Sequence, residues 1–288
     1  MKSKVNFIGF GEAGQAFAGA DDWSSDASAF DIQTTRAETR APKLADYEHC
    51  SVSSSDTLAE AVAGADAIIS VVTADQALPV AQDSAAHLRS GQIFLDFNSV
   101  APDTKRQAAR CVEQAGADYV DVAVMAPVHP KRLNTPLLLS GRRADDALEH
   151  LAGAGFANLR VVGDEVGKAS SIKMVRSIMI KGMEALRACC AMSAVRAGVL
   201  DEVVDSLGAE WLDKTNYSLD RMLKHGNRRA AEMEEVTATI EALGVDSGLI
   251  RATTDWQRML SEAGAGGAPE ELEDRLALLA DLRKAAAE

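Results

Sequence analysis

The stretch Val5-Asn6-Phe7-Ile8-Gly9-Phe10-Gly11-Glu12-Ala13-Gly14 decides the fold. Val5–Phe10 is a short apolar run that reads as a buried strand, and Glu12–Ala20 reads as a helix. Between them Gly9, Gly11 and Gly14 are spaced Gly-x-Gly-x-x-Gly. Each glycine answers a separate physical need. Gly9 permits a tight turn, Gly11 lets backbone approach a pyrophosphate, and Gly14 lets the helix pack on the strand. A helix that starts there offers unpaired N–H groups to phosphate oxygens. A second strand is read over Ala29–Gln33, and within it Asp31 falls 20 residues after Gly11. A carboxylate at that place binds a ribose hydroxyl. The segment therefore reads as a dinucleotide site built from Gly9, Phe10, Gly11, Glu12, Ala13, Gly14 and Asp31. Asp31 favours NAD, because a carboxylate repels the 2′-phosphate of NADP. Arg36 and Arg40 lie close enough in sequence to keep NADP possible.

Outward from this loop, short apolar runs alternate with helix-compatible segments. Strands are read over Ala67–Val72, Ile93–Phe97, Tyr119–Met125, Leu137–Ser140 and Leu159–Val162, and helices over Leu58–Ala63 and Thr104–Ala115. Such alternation predicts a parallel, doubly wound α/β sheet of Rossmann type. Asp21–Ser28 reads as a solvated loop. The pattern changes near residue 165. Lys168–Ala197 has no proline and one glycine, and Ile172, Val175, Met179, Met183 and Leu186 recur at the spacing of one helical face. Ala-, Leu- and Glu-rich sequence then continues to the end, broken by a glycine-rich loop at Ala263–Ala268. Two domains follow: 1–165, dinucleotide-binding, and 166–288, all-helical and joined through a long helix.

Composition narrows the partners. The 288 residues carry 43 acidic against 30 basic side chains, a formal charge of -13, which repels phosphate backbones and anionic lipid surfaces. Nucleic acid and membrane partners are therefore not expected. No run approaches the length of a membrane span. The run Val5–Phe10 is too short for a signal-peptide core. Cys50, Cys111, Cys189 and Cys190 form no Cys-x-x-Cys pair and no zinc spacing, so they read as thiols of a reducing, cytoplasmic protein without a metal site.

Four segments, in order, resemble the β-hydroxyacid dehydrogenase superfamily, which includes 3-hydroxyisobutyrate, tartronate-semialdehyde and 6-phosphogluconate dehydrogenases. They are Gly9–Gly14, Asp96-Phe97-Asn98-Ser99-Val100-Ala101-Pro102, Asp121-Val122-Ala123-Val124-Met125-Ala126-Pro127-Val128, and Gly167 through Ser177. The last, with Lys173-Met174-Val175-Arg176-Ser177, looks closest to a subgroup defined by its own C-terminal domain of unknown function. The resemblance implies that Lys173 is the acid/base that exchanges a proton with a substrate hydroxyl. It also implies that Asn98 and Ser99 lie against nicotinamide and substrate, that Thr73 lies over the cofactor ribose, and that the helical domain forms a homodimer. Spacing alone would make Lys173 a surface lysine paired with a carboxylate; the resemblance assigns its role.

Two departures bear on the substrate. Ser177 replaces a family asparagine and hydrogen-bonds with shorter reach. His129-Pro130-Lys131 replaces a segment whose backbone amides receive the substrate carboxylate, and Pro130 has no N–H to give. Lys131 or Arg132 is then the candidate cation. His129 is a candidate proton shuttle or substrate contact. His225, Arg228 and Glu232 share one face of a continuous helix, a candidate anion-binding face. Met174, Met179, Met183, Met222 and Met233 are expected to fill helix interfaces, and Trp211 and Trp256 to lie in core or interface. The expected activity is hydride transfer between NAD(P) and a small hydroxy acid or its carbonyl form, with Lys173 as acid/base. Imine reduction, oxidative decarboxylation and non-catalytic dinucleotide binding are the alternatives on the same fold.

Overall fold

The computed structural model describes residues 4–282. Eight strands, β1 (Lys4–Ile8), β2 (Asp26–Phe30), β3 (Ser53–Ser54), β4 (Ala67–Ser70), β5 (Ile93–Asp96), β6 (Asp118–Val124), β7 (Leu137–Ser140) and β8 (Leu159–Gly163), form one sheet. Their order is β3-β2-β1-β4-β5-β6-β7-β8. The central strands are apolar on both faces because both faces are covered. Side chains alternate with a period of two. Phe7, Ile69 and Leu95 enter one core and Ile8, Ile68 and Phe94 the other. The helices of this unit are α1 (Glu12–Ala18), α2 (Ala37–His49), α3 (Leu58–Ala63), α4 (Ala77–Ala85), α5 (Pro102–Gln114) and α6 (Ala144–Gly153).

The expected all-parallel sheet needs one correction. β7 runs antiparallel to β6, while the other pairs are parallel. A parallel return needs a full crossover, usually a helix. The link over 125–136 holds only a single helical turn, Arg132–Asn134. The second strand also shifts. It occupies Asp26–Phe30, so part of the segment read as a loop is paired, and Asp31 lies just beyond the strand. Its register against β1 runs from Lys4↔Asp26 to Ile8↔Phe30. The Asn6 carboxamide oxygen accepts the Ser28 N–H at 3.2 Å and reinforces that register. Pairing with a central strand outweighs the weak strand propensity of Asp-Ala-Ser.

The long helix α7 (Lys168–Ala197) forms as the sequence indicates. The chain divides into two compact units inside it, one ending at Lys173 and the other starting at Met174. In the second unit, α7 is followed by α8 (Leu200–Leu207), α9 (Ala209–Ala242), α10 (Gly248–Ala263) and α11 (Leu272–Asp281). The apolar spacing on α7 does not mark its buried side. Val175, Met179 and Leu186 are 49%, 65% and 61% exposed. The buried side carries Met174, Lys181, Glu184, Ala185, Ala188, Ala191 and Met192 instead. Met179 is thus no core filler, whereas Met174, Met222 and Met233 are. Trp211 and Trp256 pack against the core of this unit.

α9 and α10 pack at backbone distance. A Cβ on Gly226 would stand 2.1 Å from the Gln257 carbonyl oxygen and 2.7 Å from the Ser261 Cβ. No rotamer relieves a clash with a main-chain oxygen, so Gly226→Ala has to part the helices. Overpacking of this kind costs about 1–3 kcal/mol. Thermal unfolding should show a clearly lowered midpoint; an unchanged one would show that the helices separate freely. Among the described residues no helix is long and apolar enough to cross a membrane.

Candidate functional site

The glycine loop follows β1, and β1 lies beside β4 in the middle of the sheet. Successive connections leave these two strands in opposite directions, so their carboxyl ends flank a switch point, where open α/β sheets bind ligands. Gly9 has φ +83, and a Cβ there would stand 2.5 Å from the Val71 carbonyl oxygen. Only glycine fits that turn. A Cβ on Gly14 would meet the Phe10 ring at 3.1 Å, so helix and strand-end loop pack closely. A Cβ on Gly11 would meet nothing within 4 Å beyond its own chain neighbours, and no side chain caps α1. The first N–H groups of a helix have no partner within it. The loop therefore has an open point at Gly11 that could admit a pyrophosphate.

Phe10 explains why the loop holds its shape. Its ring is buried and meets Tyr47 edge-on at 5.0 Å. Its N–H donates to Asp31 Oδ2 at 2.7 Å. Its carbonyl accepts from Lys43 Nζ at 2.8 Å and Gln15 Nε2 at 3.3 Å. Lys43 is buried and also pairs with Asp46 at 2.8 Å. Phe10 thus clamps the loop rather than lining it. The only trace of Lys43 in the sequence is an i,i+3 charge pair, which is common on solvated helices. Asp31 is 9% exposed, and its second oxygen accepts the Gln33 N–H at 2.9 Å. Each carboxylate oxygen keeps a further lone pair for a ribose hydroxyl.

Thr73 is exposed in the loop after β4. Asn98, after β5, is buried, and its side chain is committed within the protein. Its Oδ1 accepts the Val72 N–H at 2.6 Å and its Nδ2 donates to Ser70 Oγ at 3.0 Å. It stitches the two loops together. The Ser99 Oγ beside it is buried and has no hydrogen-bond partner among the described residues.

Below this loop lies a charge network absent from the sequence reading. Lys105 is fully buried, and its ammonium reaches the Asp96 carbonyl at 2.7 Å, Asp96 Oδ1 at 3.0 Å and Asp121 Oδ1 at 3.4 Å. Tyr119 Oη donates to the other Asp96 oxygen. Burial, followed by the Asp96 and Asp121 charges, drives the Tyr119 pKa well above its ordinary value. Asp96 Oδ1 also accepts the Asn98 N–H at 2.8 Å. Asp121 reaches the other way, to the first turn of α7. It accepts the Ser170 N–H at 2.9 Å and the Ser170 hydroxyl at 2.6 Å. Ser140 Oγ accepts the neighbouring Ala169 N–H at 2.9 Å. The N-terminal amides of α7 are capped from the sheet, a turn before the half-buried Lys173.

His129 and Lys131 lie on the link between β6 and β7, and both are exposed. In the helical unit, Ser177, Arg228 and Glu232 come together around a residue the sequence reading passed over. Lys181 is buried, 3.4 Å from Ser177 Oγ and 2.8 Å from Glu232 Oε2. Arg228 binds the other oxygen of Glu232 at 2.7 Å. Burial holds the Lys181 pKa below the ordinary lysine range, against the pull of Glu232. The clue was helical spacing, since Lys181 is one turn beyond Ser177. His225 is exposed one turn before Arg228.

Residues 4–153 match the family described as the NAD binding domain of 6-phosphogluconate dehydrogenase. The chain belongs to that family. Residues 194–260 match a second family, the domain of unknown function DUF1932. The resemblance to β-hydroxyacid dehydrogenases with their own C-terminal domain therefore holds, as does the nicotinamide-dinucleotide class of cofactor. A conserved hypothetical protein from Sinorhizobium meliloti 1021 is 36% identical, with 98% of this chain and 97% of that one covered and a TM-score of 0.80. The conserved protein MTH1747, described as structurally similar to 3-hydroxyacid dehydrogenases, is 28% identical over 90% of this chain and 97% of its own, with a TM-score of 0.71. The Mycobacterium tuberculosis 3-hydroxyisobutyrate dehydrogenase, solved with L-serine, shares the fold at 17% identity, 98% and 100% coverage and a TM-score of 0.73. The glycine loop, Asp31 and the β4 and β5 loops are the residues that could hold a dinucleotide.

Proposed function

We propose that the protein is a nicotinamide-dependent oxidoreductase acting on a small hydroxy acid or its carbonyl form. The open point at Gly11, on a loop braced independently of any ligand, carries this reading. Gly11, Glu12, Ala13, Asp31 and Thr73 hold the dinucleotide, which supplies the hydride acceptor or donor when bound. Lys173 takes the proton of the substrate hydroxyl in oxidation and returns it in reduction. Ser99 orients the substrate oxygen. Lys131 or Arg132 receives its carboxylate through a side-chain cation, since Pro130 lacks the amide. His129 is a second substrate contact. Ser177, His225 and Arg228 are candidate anion contacts within the helical unit.

The test has two stages. NADH and NADPH are titrated by fluorescence. Then 3-hydroxyisobutyrate, L-serine, other hydroxy acids, sugar acids, aldehydes and imines are screened by dinucleotide absorbance. Dinucleotide binding with hydroxy-acid turnover is expected. Binding without turnover of any panel member would make the protein a dinucleotide sensor, and turnover of imines alone would make it an imine reductase.

Asp31 sets the cofactor preference in this reading, with NAD ahead of NADP. Asp31→Ala is a poor probe, because it also strips the Phe10 N–H of its acceptor. Asp31→Asn keeps one acceptor oxygen, for the Phe10 N–H, gives up the bond from the Gln33 N–H and removes the charge. It should bring the two kcat/KM values to within roughly tenfold of each other, about 1.4 kcal/mol. Better turnover with NADP in the unmutated protein would sink the assignment.

The exposed apolar side of α7, with Val175, Met179 and Leu186, is the face on which a homodimer would close. Light scattering at micromolar concentration should return a dimer or larger for the unmutated protein, and smaller species for Met179→Asp. A monomeric unmutated protein would defeat this assignment.

A further inference from the structure

A single buried cation links two segments that the proposed reaction needs at a fixed spacing. On one side, Asp96 holds the Asn98 N–H at 2.8 Å and so the loop that carries Asn98 and Ser99. On the other, Asp121 holds the Ser170 N–H at 2.9 Å and its hydroxyl at 2.6 Å, the turn before Lys173. Lys105 lies between the two carboxylates at 3.0 and 3.4 Å, with no solvent exposure, and its third contact is the Asp96 carbonyl at 2.7 Å. All three ammonium protons thus have acceptors. Two buried carboxylates this close repel unless a cation stands between them. Full burial keeps both Lys105 and Asp121 from touching a ligand.

We propose that Lys105 and Asp121 are positioning residues, which set the distance between the Asn98–Ser99 loop and the helix turn bearing Lys173. The proposal rests on the reading of Lys173 as acid/base. The network is polar where an apolar core would serve stability equally well, and its hydrogen bonds end on backbone N–H groups of the two segments in question. A shift of about 1 Å between reacting groups costs roughly 10²-fold in rate, so a rigid link of this kind acts on kcat.

Asp121→Asn is the main probe. It leaves Asp96 and Lys105 as a neutral pair, so no uncompensated buried charge is created. Ser170→Ala removes only one hydroxyl and serves where Asp121→Asn does not fold; Ser170→Thr restores that donor. Amide hydrogen exchange over residues 168–173 and NADH affinity are measured for each. So are kcat and KM with the best hydroxy acid of the panel, beginning with 3-hydroxyisobutyrate. Asp121→Asn should speed local exchange by about tenfold. It should lower kcat by roughly 10- to 100-fold with KM and NADH affinity within about threefold. Ser170→Ala should show a smaller loss that Ser170→Thr recovers. Unchanged exchange in the folded variants overturns the proposal whatever the kinetics. Faster exchange with unchanged kcat, in a protein that Lys173→Ala inactivates, overturns the positioning role. Full activity of Lys173→Ala defeats the acid/base reading instead, and the kinetic half of the proposal falls with it.

Discussion

Gly11→Val should weaken NADH binding by at least about 100-fold, ~2.7 kcal/mol, with almost no change in thermal unfolding. The residue precedes α1 with φ -82 and ψ -155, extended backbone that valine adopts readily. Beyond its own chain neighbours, no atom lies within 4 Å of the position its Cβ would take. The added side chain thus fills only the space above the open helix start, and it obstructs a pyrophosphate there while straining nothing else. Gly9→Ala is the contrasting arm. Its φ of +83 and the Val71 oxygen at 2.5 Å leave no room for a methyl group. Left-handed backbone costs an L-residue about 1–2 kcal/mol and the collision adds to it, so Gly9→Ala should lower the unfolding midpoint as well as the affinity. Calorimetry and fluorescence titration on both variants separate binding from folding. A Gly11→Val protein that binds NADH normally would remove the observation on which the proposed function stands.

These two glycines show what kind of information a sequence carries. Spacing alone assigns Gly9, Gly11 and Gly14 three different jobs, and their surroundings are correspondingly distinct: a turn, an open point and a packed contact. Backbone requirements of this kind leave a local signature, because one residue type satisfies them. The central strands are legible for a similar reason, since a strand covered on both faces must be apolar throughout. β2 begins earlier than its composition predicts because its partner makes Asp26–Ala27–Ser28 a strand. The reversal of β7 is hidden in the lack of a crossover helix, an absence that a series of apolar runs does not display.

Buried charge is the main feature that sequence reading does not reach. Lys105 sits in Pro102–Gln114, where lysine and arginine look like an ordinary wet helical face. Asp96 and Asp121 are separated from it in sequence and meet it only because β5 and β6 are neighbours. Lys43 and Lys181 follow the same rule, each buried against an acid on another turn or another helix. On α7 the difference runs the other way. Apolar residues at helical spacing suggest a core face, yet the buried side is made largely of alanines with Lys181 and Glu184, and larger apolar groups stand outside. Periodicity locates a face; it does not say whether this chain or another one covers it.

Lys173→Ala should lower kcat by roughly 10²- to 10⁴-fold, the usual share of a positioned proton-transfer group. Dinucleotide affinity should stay within about threefold, because the glycine loop and its clamps at Asp31 and Lys43 are made without Lys173. Two structural features single out Lys173. It stands half-buried on the second turn of α7, and the first turn is fixed to the sheet through Ala169 and Ser170. A base has to be held still relative to the atom whose proton it takes, and partial burial one turn from a fixed point provides that. The other lysines of α7 fit less well. Lys168 is exposed at the helix start, and Lys181 has its ammonium engaged by Glu232 at 2.8 Å. Lys173→Arg should not rescue the loss, since guanidinium stays protonated and cannot act as a base. In hydroxyl oxidation the unmutated protein should lose rate as pH falls and the lysine is protonated, giving an ascending limb that Lys173→Ala lacks. Steady-state rates across pH for the three proteins decide the matter. Near-normal kcat with an unaltered limb in Lys173→Ala would make Lys173 a structural residue and transfer the role of base to His129.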